Sequence, residues 1–320
     1  MTVLSPHIEN IKKAAHALQN GSIVAFPTET VYGLGANAND GRAVAKIYDV
    51  KDRPQFNPLI THVKDLETAI SLADFSRSAL KLAKTLWPGP VSLVLPQKHK
   101  TKISELVTAG LDTIALRIPD NPIALQLLHE ANCPIAAPSA NISGRVSPTL
   151  ASHVAQDFKN TELIILDGGA STCGLESTIL HIQDGTYSVL RPGMITQEEI
   201  QGIIGDISCN STPSPALSKE TLLSPGQLKS HYAPKAALRL NATKFFPDEA
   251  VLAFGHNTIS NHITTKFNLS PNGDLHEAAA NLFKGLRYLD SLDVKKIAVM
   301  PIPNVGLGVA INDRLARAAA

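Results

Sequence analysis

The chain has 320 residues, 44% hydrophobic and 18% charged, long enough for two cores rather than one. Its 29 Lys and Arg against 28 Asp and Glu give a net charge of +1, which argues against a protein that wraps a nucleic acid backbone. Three cysteines (Cys133, Cys173 and Cys209) without CxxC spacing argue against a disulfide framework or a zinc site, and no apolar run nears the roughly 18 residues of a membrane span, so a reducing, cytoplasmic setting without a membrane partner is expected.

In chain order, Ser5-Pro6 reads as N-cap and first position of a helix whose apolar face is Ile8, Ile11, Ala15 and Leu18, ending at Gly21. An apolar strand over 22–26 runs into Pro27. Helices are expected near 40–50, 65–72, 76–86, 121–131, 149–157 and 196–205, and strands near 58–63, 91–95, 113–118, 134–137, 163–167, 177–182 and 187–190. The last two strands flank Asp184-Gly185, a hairpin turn, so the sheet is mixed rather than purely parallel. From 206 to 234 the chain is rich in Ser, Thr, Pro and Asn and reads as a long linker. A second α/β unit follows, with strands near 237–240, 250–254 and 296–300. Asp274 caps a helix with Glu277 in capping-box position and a stripe of Leu275, Ala278, Ala279, Leu282 and Leu286. A last helix runs from about Val309.

No standard phosphate cradle is present. The run from Gly169 to Ser177 has two glycines at P-loop spacing, but Leu175 and Glu176 stand where Lys and Ser/Thr belong. Gly33-Leu34-Gly35 lacks the third glycine of a dinucleotide fingerprint. Other stretches carry more chemistry. Pro27-Thr28-Glu29-Thr30-Val31-Tyr32-Gly33-Leu34-Gly35 sets hydroxyls and a carboxylate in a loop after a strand. Lys51 and Arg53 are two apart before Pro54, a point charge and a planar fork that suit a polyphosphate, or else a solvated basic loop. Ser139 and Asn141 follow a strand end, where α/β ligands sit, and Ser147-Pro148-Thr149 reads as a further helix cap. Arg117 lies within an apolar strand, which suits a substrate carboxylate or an internal salt bridge; Arg191 ends another strand and is similar in kind. A lone His62 in a strand is usually a satisfied core residue.

Taken together, these stretches resemble the YrdC-type threonylcarbamoyl-AMP synthase family. The Lys-x-Arg and Ser-x-Asn pattern falls at Lys51, Arg53, Ser139 and Asn141, and the remaining motifs, through Arg191-Pro192-Gly193, keep family order. Ser224 to Pro234 resembles the linker motif of the two-domain form, with Gln227 where the family often has methionine. Gly306-Leu307-Gly308 and Ile311-Asn312-Asp313-Arg314-Leu315 resemble its C-terminal signature.

The resemblance implies an α/β fold: a twisted mixed-sheet catalytic domain over 1–206, a linker or lid over 207–234, and a smaller Rossmann-like domain over 235–320. It implies an enzyme that joins L-threonine, bicarbonate and ATP as threonylcarbamoyl-AMP, releasing pyrophosphate, with Mg²⁺ accompanying ATP. A partner enzyme would then pass the group to an adenosine next to the anticodon of tRNA. Carried over residue by residue, Lys51, Arg53, Ser139 and Asn141 would be catalytic. Arg53, Asn57, Thr113, Ser139, Ser147, Arg191 and His231 would contact ATP, with His231 closing as a lid. Thr30, His62, Arg117, Ala137 and Ser177 would hold threonine. Three readings compete: a double-stranded RNA-binding module, which the near-neutral charge disfavours; a carbamoyl-transfer enzyme of hydrogenase maturation, which would bring zinc fingers the cysteines cannot build; and a dinucleotide oxidoreductase, which lacks its glycines.

Overall fold

The computed structural model describes residues 1–183, 186–205, 224, 230–256 and 263–320. In chain order the first domain holds β1 (Thr2–Leu4), α1 (Ile8–Gln19), β2 (Val24–Phe26), β3 (Gly33–Asn37), α2 (Gly41–Lys51), β4 (Ile60–His62), α3 (Leu66–Leu72), α4 (Arg77–Leu86), β5 (Val91–Pro96), α5 (Glu105–Thr108), β6 (Thr113–Arg117), α6 (Pro122–Ala131), β7 (Ile135–Ala136), α7 (Ala151–Asp157), β8 (Ile164–Leu166), β9 (Thr178–Gln183), β10 (Thr186–Arg191) and α8 (Gln197–Ile204). The second holds β11 (Ala237–Arg239), β12 (Ala250–Ala253), β13 (Lys266–Asn268), α9 (Leu275–Ser291), β14 (Lys296–Val299) and α10 (Leu307–Ala318). The expected turn at 184–185, Cys209 and most of the expected linker lie outside the described residues.

The first ten strands form one sheet in the order β1-β8-β2-β3-β7-β4-β6-β5-β9-β10. It is mixed, as the hairpin signal implied: β4/β6 and β5/β9 are parallel, while β2/β3, β4/β7 and β9/β10 are antiparallel. Both faces are apolar. Ile11, Ala14, Ala15 and Leu18 of α1 pack with Leu127 and Leu128 of α6 and with Phe26; Leu34, Ile47, Leu93 and Leu116 belong to the larger core opposite. The second sheet, β11-β14-β12-β13, is parallel throughout. Leu282, Leu286 and Leu289 of α9 are fully buried in its core, each worth roughly 1.5–3 kcal/mol in burial.

Four local expectations need correction. The first helix starts at Ile8 after a His7 N-cap; Ser5 lies outside it, accepting hydrogen bonds from the Asn10 side chain. The glycine-rich run after Tyr32 is a strand, because a Cβ at Gly35 would lie 2.7 Å from Ile135 Cγ2 and 2.8 Å from Phe26 Cε1. Glycine there permits close strand packing. Ser147 does not cap α7, whose N-cap is Leu150 with no side-chain bond. Asp274 does cap α9, accepting from the Glu277 amide, but the Glu277 carboxylate is taken by the Ser270 hydroxyl.

The two domains are docked by charge as well as by packing. Arg287 of α9 forks onto Asp157 of α7 at 2.6 and 3.1 Å and also donates to the carbonyls of Val146 and Ser147. Gly174 sits against α9 with φ at 71°, where a Cβ would come within 2.5 Å of Ala280 Cα. Its P-loop-like spacing therefore serves a close domain contact.

Candidate active site

The sheet register gathers the polar loops at one place. β4 and β6 run parallel with His62 beside Arg117. Backbone bonds lace the 27–32 loop to the 137–149 loop: Leu34 N donates to Pro138 O, Ala140 N to Tyr32 O, and Tyr32 N to Pro148 O, with a further bridge between Gly33 and Ser139. Together they line a single cleft. Three guanidinium groups line it, those of Arg53, Arg117 and Arg191, along with Thr30, His62, Ala137, Ser139, Ser177, Glu176, His231 and Tyr232.

Each arginine is aimed by its own bonds. Arg53 donates through Nε to Asn57 O at 3.3 Å and through Nη2 to Pro58 O at 3.0 Å. Arg191 donates to Ser177 O at 3.1 Å and to Ser177 Oγ at 3.0 Å, and that hydroxyl lies 2.8 Å from Ser92 Oγ. Arg117 donates to Gly89 O at 3.2 Å and Thr30 Oγ1 at 3.0 Å, and its Nη2 lies 2.6 Å from Glu29 Oε1. That ion contact is close but poorly aligned for a hydrogen bond, so neither Glu29 oxygen has a hydrogen-bond donor. Burial, then Tyr48 and Tyr232 against it and Arg191 with it, brings Arg53 down to about 10. Burial and the charge of Arg117 push His62 down to about 3; burial likewise takes His231 to about 3, with Arg53, Lys51 and Arg191 adding to the fall and Glu176 opposing it. The cleft thus holds several fixed positive charges and two neutral imidazoles, a field suited to a polyanion beside a carboxylate.

The family comparisons fall on this architecture. A Sua5/YciO/YrdC model, described as telomere recombination, matches residues 16–193, and a model of the threonylcarbamoyl-AMP synthase C-terminal domain matches residues 195–320. The threonylcarbamoyl-AMP synthase of Bacillus subtilis is 41% identical over 99% of this chain and 94% of its own length. That of Pyrococcus abyssi is 40% identical over 96% of this chain and 93% of its own. The crystal structure of P. abyssi Sua5 complexed with L-threonine superposes with a TM-score of 0.88 at 37% identity, covering all of this chain and 98% of that one. The chain belongs to the threonylcarbamoyl-AMP synthase family.

In this family member the residues singled out from sequence divide into two groups. Arg53, Arg117, Arg191, Thr30, His62, Ala137, Ser139, Ser177 and His231 face the cleft. Lys51, Asn57, Asn141 and Ser147 do not line it but bond to residues that do, and Thr113 stands at the opposite end of β6 from Arg117. The Lys51 ammonium, fully buried, donates to the carbonyls of Ser139 (2.6 Å) and Asn141. Ser139 Oγ donates to Asn141 Oδ1 at 2.6 Å, and the Asn141 amide donates to Ile142 O and Arg145 O. Ser147 Oγ donates to Glu176 Oε1 at 2.5 Å. Asn57 is fully buried with both amide atoms unpartnered, and Thr113 Oγ1 is buried and unpartnered as well.

Sequence reasoning overlooked three groups. Glu176 was visible in the motif run, yet there it only spoiled a P-loop. Tyr232 lines the cleft, stacked on Phe283 with centroids 5.5 Å apart and 4.0 Å from the His231 ring. Arg314 reaches the wall from the other domain; the C-terminal signature contained it, but without a role.

Proposed function

We propose that this protein binds ATP and L-threonine side by side in the cleft and joins them, through bicarbonate, as threonylcarbamoyl-AMP. The observation that carries this is the convergence of Arg53, Arg117 and Arg191 with Thr30, His62 and Ser177 in one cleft. The threonylcarbamoyl-AMP synthases among its relatives and the threonine complex of the P. abyssi structure support it.

The chemistry needs no protein nucleophile. Bicarbonate and the threonine amine condense to a carbamate with loss of water. A carbamate oxygen attacks the α-phosphorus of ATP, its P–O bond forms as the bond to pyrophosphate breaks, and pyrophosphate leaves. This is adenylyl transfer, so the enzyme is a nucleotidyltransferase. The protein's share is positioning and charge neutralisation. Arg117 receives the threonine carboxylate, with Thr30 already fixed on the guanidinium and neutral His62 beside it. Ser177 and the backbone near Ala137 complete that end. Arg53 and Arg191 face the phosphates, Ser139 and Asn141 shape the reacting face, and Lys51 holds their loop by its two carbonyl bonds. Asn57 and Thr113, buried with free polar atoms, fit a nucleotide edge that would complete them. His231 and Tyr232 cover the mouth and keep water from the mixed anhydride.

Mg²⁺ travels with ATP in this account, held by phosphate and water. The carboxylates near the cleft do not offer themselves as ligands: Glu176 is engaged by Ser147 and Arg314, and Glu29 by Arg117. The product passes to a threonylcarbamoyl-transfer enzyme acting on tRNA, and a cytoplasmic setting fits that use.

The test is pyrophosphate release measured with each of the twenty amino acids, with and without bicarbonate. Release should require L-threonine and bicarbonate together. Arg53→Ala should lower it about 10²-fold or more, as loss of one preorganised donor does. Release that ignores the amino acid would refute the proposal.

A further inference from the structure

A fully buried guanidinium from the second domain ends in the wall of the cleft. Arg314 of α10 donates through Nε to Glu176 Oε2 at 2.8 Å and through Nη2 to Pro192 O at 2.9 Å, and its Nη1 meets Asp313 at 2.6 Å. Its guanidinium carbon lies 5.2 Å from the centre of the Tyr232 ring. One side chain thus touches the Glu176–Ser147 pair, the turn that follows Arg191, and an aromatic lining residue. Ser147 is held from the second domain at both ends, its carbonyl by Arg287 and its hydroxyl through Glu176 by Arg314.

We propose that Arg314 is a positioning residue for the nucleotide: it cancels the charge of Glu176 and fixes the Ser147 hydroxyl and the Arg191 turn, so that docking of the second domain is converted into affinity for ATP. This rests on the nucleotide lying at the Ser147–Arg191 end of the cleft, as proposed above. Glu176 lines a cleft meant for a polyanion, and an uncompensated buried carboxylate there would repel phosphate. Burial raises the Glu176 carboxyl, but Arg314 and Arg191 outweigh it and hold it ionised below its ordinary range. Glu176 therefore depends on its partner in the other domain. The threonine end, where Arg117 is held by Glu29, Gly89 and Thr30, is anchored within the first domain and should be indifferent to Arg314.

The experiment is steady-state pyrophosphate release by the full chain and its Arg314→Gln, Glu176→Gln and double Glu176→Gln/Arg314→Gln variants, with KM for ATP and for L-threonine measured separately. Arg314→Gln should raise the ATP KM by about tenfold or more while the threonine KM stays within about twofold, and the double variant, in which the glutamine can still accept from Ser147, should recover most of the loss. A purely structural arginine would not give that split or that recovery. An unchanged ATP KM in Arg314→Gln overturns the inference, and so do KM values that rise together without recovery in the double variant. If Arg314→Gln does not fold, the double variant decides: near-normal ATP KM supports the inference, and misfolding or a rise in both KM values overturns it. If the unaltered chain releases no pyrophosphate, the proposed function falls first; if it does and only the KM split fails, this inference falls alone.

Discussion

The two domains treat their buried polar groups differently. In the first, Glu29, Asn57, Thr61, His62, Thr113 and Ser171 carry buried side-chain atoms without a hydrogen-bond partner, and His231 does so just before the second begins. In the second, among the described residues, the buried polar side chains are Glu249, Ser270 and Arg314, and each has its partner: Arg239, Glu277, and Glu176. An unpartnered buried polar group costs free energy, on the order of 1–3 kcal/mol. Two of these groups, His62 and His231, line the cleft, where a ligand can supply the partner, whereas full pairing suits a domain built to hold shape. The first domain carries the cleft; the second braces it.

That contrast can be broken or sharpened by substitution. The largest effect belongs to Arg117. Arg117→Met leaves Glu29 as a buried charge without its cation, so stability should fall by about 3–5 kcal/mol and threonine-dependent turnover should nearly vanish. Urea denaturation and pyrophosphate assays read both losses. Leu282→Ala in α9 should cost about 2–5 kcal/mol by opening a cavity, yet leave the threonine KM of the folded fraction unmoved. A large threonine KM change there would blur the division between binder and brace.

Acid comes next. His62 and His231 stay neutral in the fold, pushed to about 3, while the unfolded chain protonates near 6.5. Above about pH 6.5 both states bind the same protons and their contribution is flat; as pH falls from there toward 3, only the unfolded chain gains protons, so stability drops. At pH 5.5 each histidine should cost about 1.4 kcal/mol, seen as a lower urea midpoint than at pH 7.5, and His231→Gln should lessen that slope. The smallest effect has the opposite sign. Asn57→Leu removes two unpartnered amide atoms and should leave stability unchanged or raise it by about 1 kcal/mol, while weakening ATP binding roughly tenfold. A destabilised variant with normal ATP affinity would make Asn57 a structural residue.

Much of this was legible in the sequence, for physical reasons that can be stated. Arg117 and Arg191 stand out because a cation inside an apolar strand must be paired or functional. The mixed sheet followed from two strands too close for a crossover helix. The strand at Gly33–Asn37 escaped notice because glycines disfavour strands by propensity, and only the approach of Ile135 and Phe26 explains why Gly35 is required. Lys51 read as a phosphate cation, yet it donates to the carbonyls of Ser139 and Asn141, 88 and 90 residues away, separations that no spacing rule spans. Ser147 read as a cap because Ser-Pro precedes a helix, and its hydroxyl instead goes to Glu176. What sequence cannot show is tertiary meeting, and Arg314 under Tyr232 and against Glu176 is the clearest instance.

The claim that two substrates share one cleft, each at its own arginine, is tested most directly by paired calorimetric titrations of L-threonine and a non-hydrolysable ATP analogue into Arg117→Ala and Arg53→Ala. The account predicts that the first variant loses threonine and keeps the nucleotide, and that the second loses the nucleotide and keeps threonine. Both ligands binding both variants with wild-type affinity would contradict it.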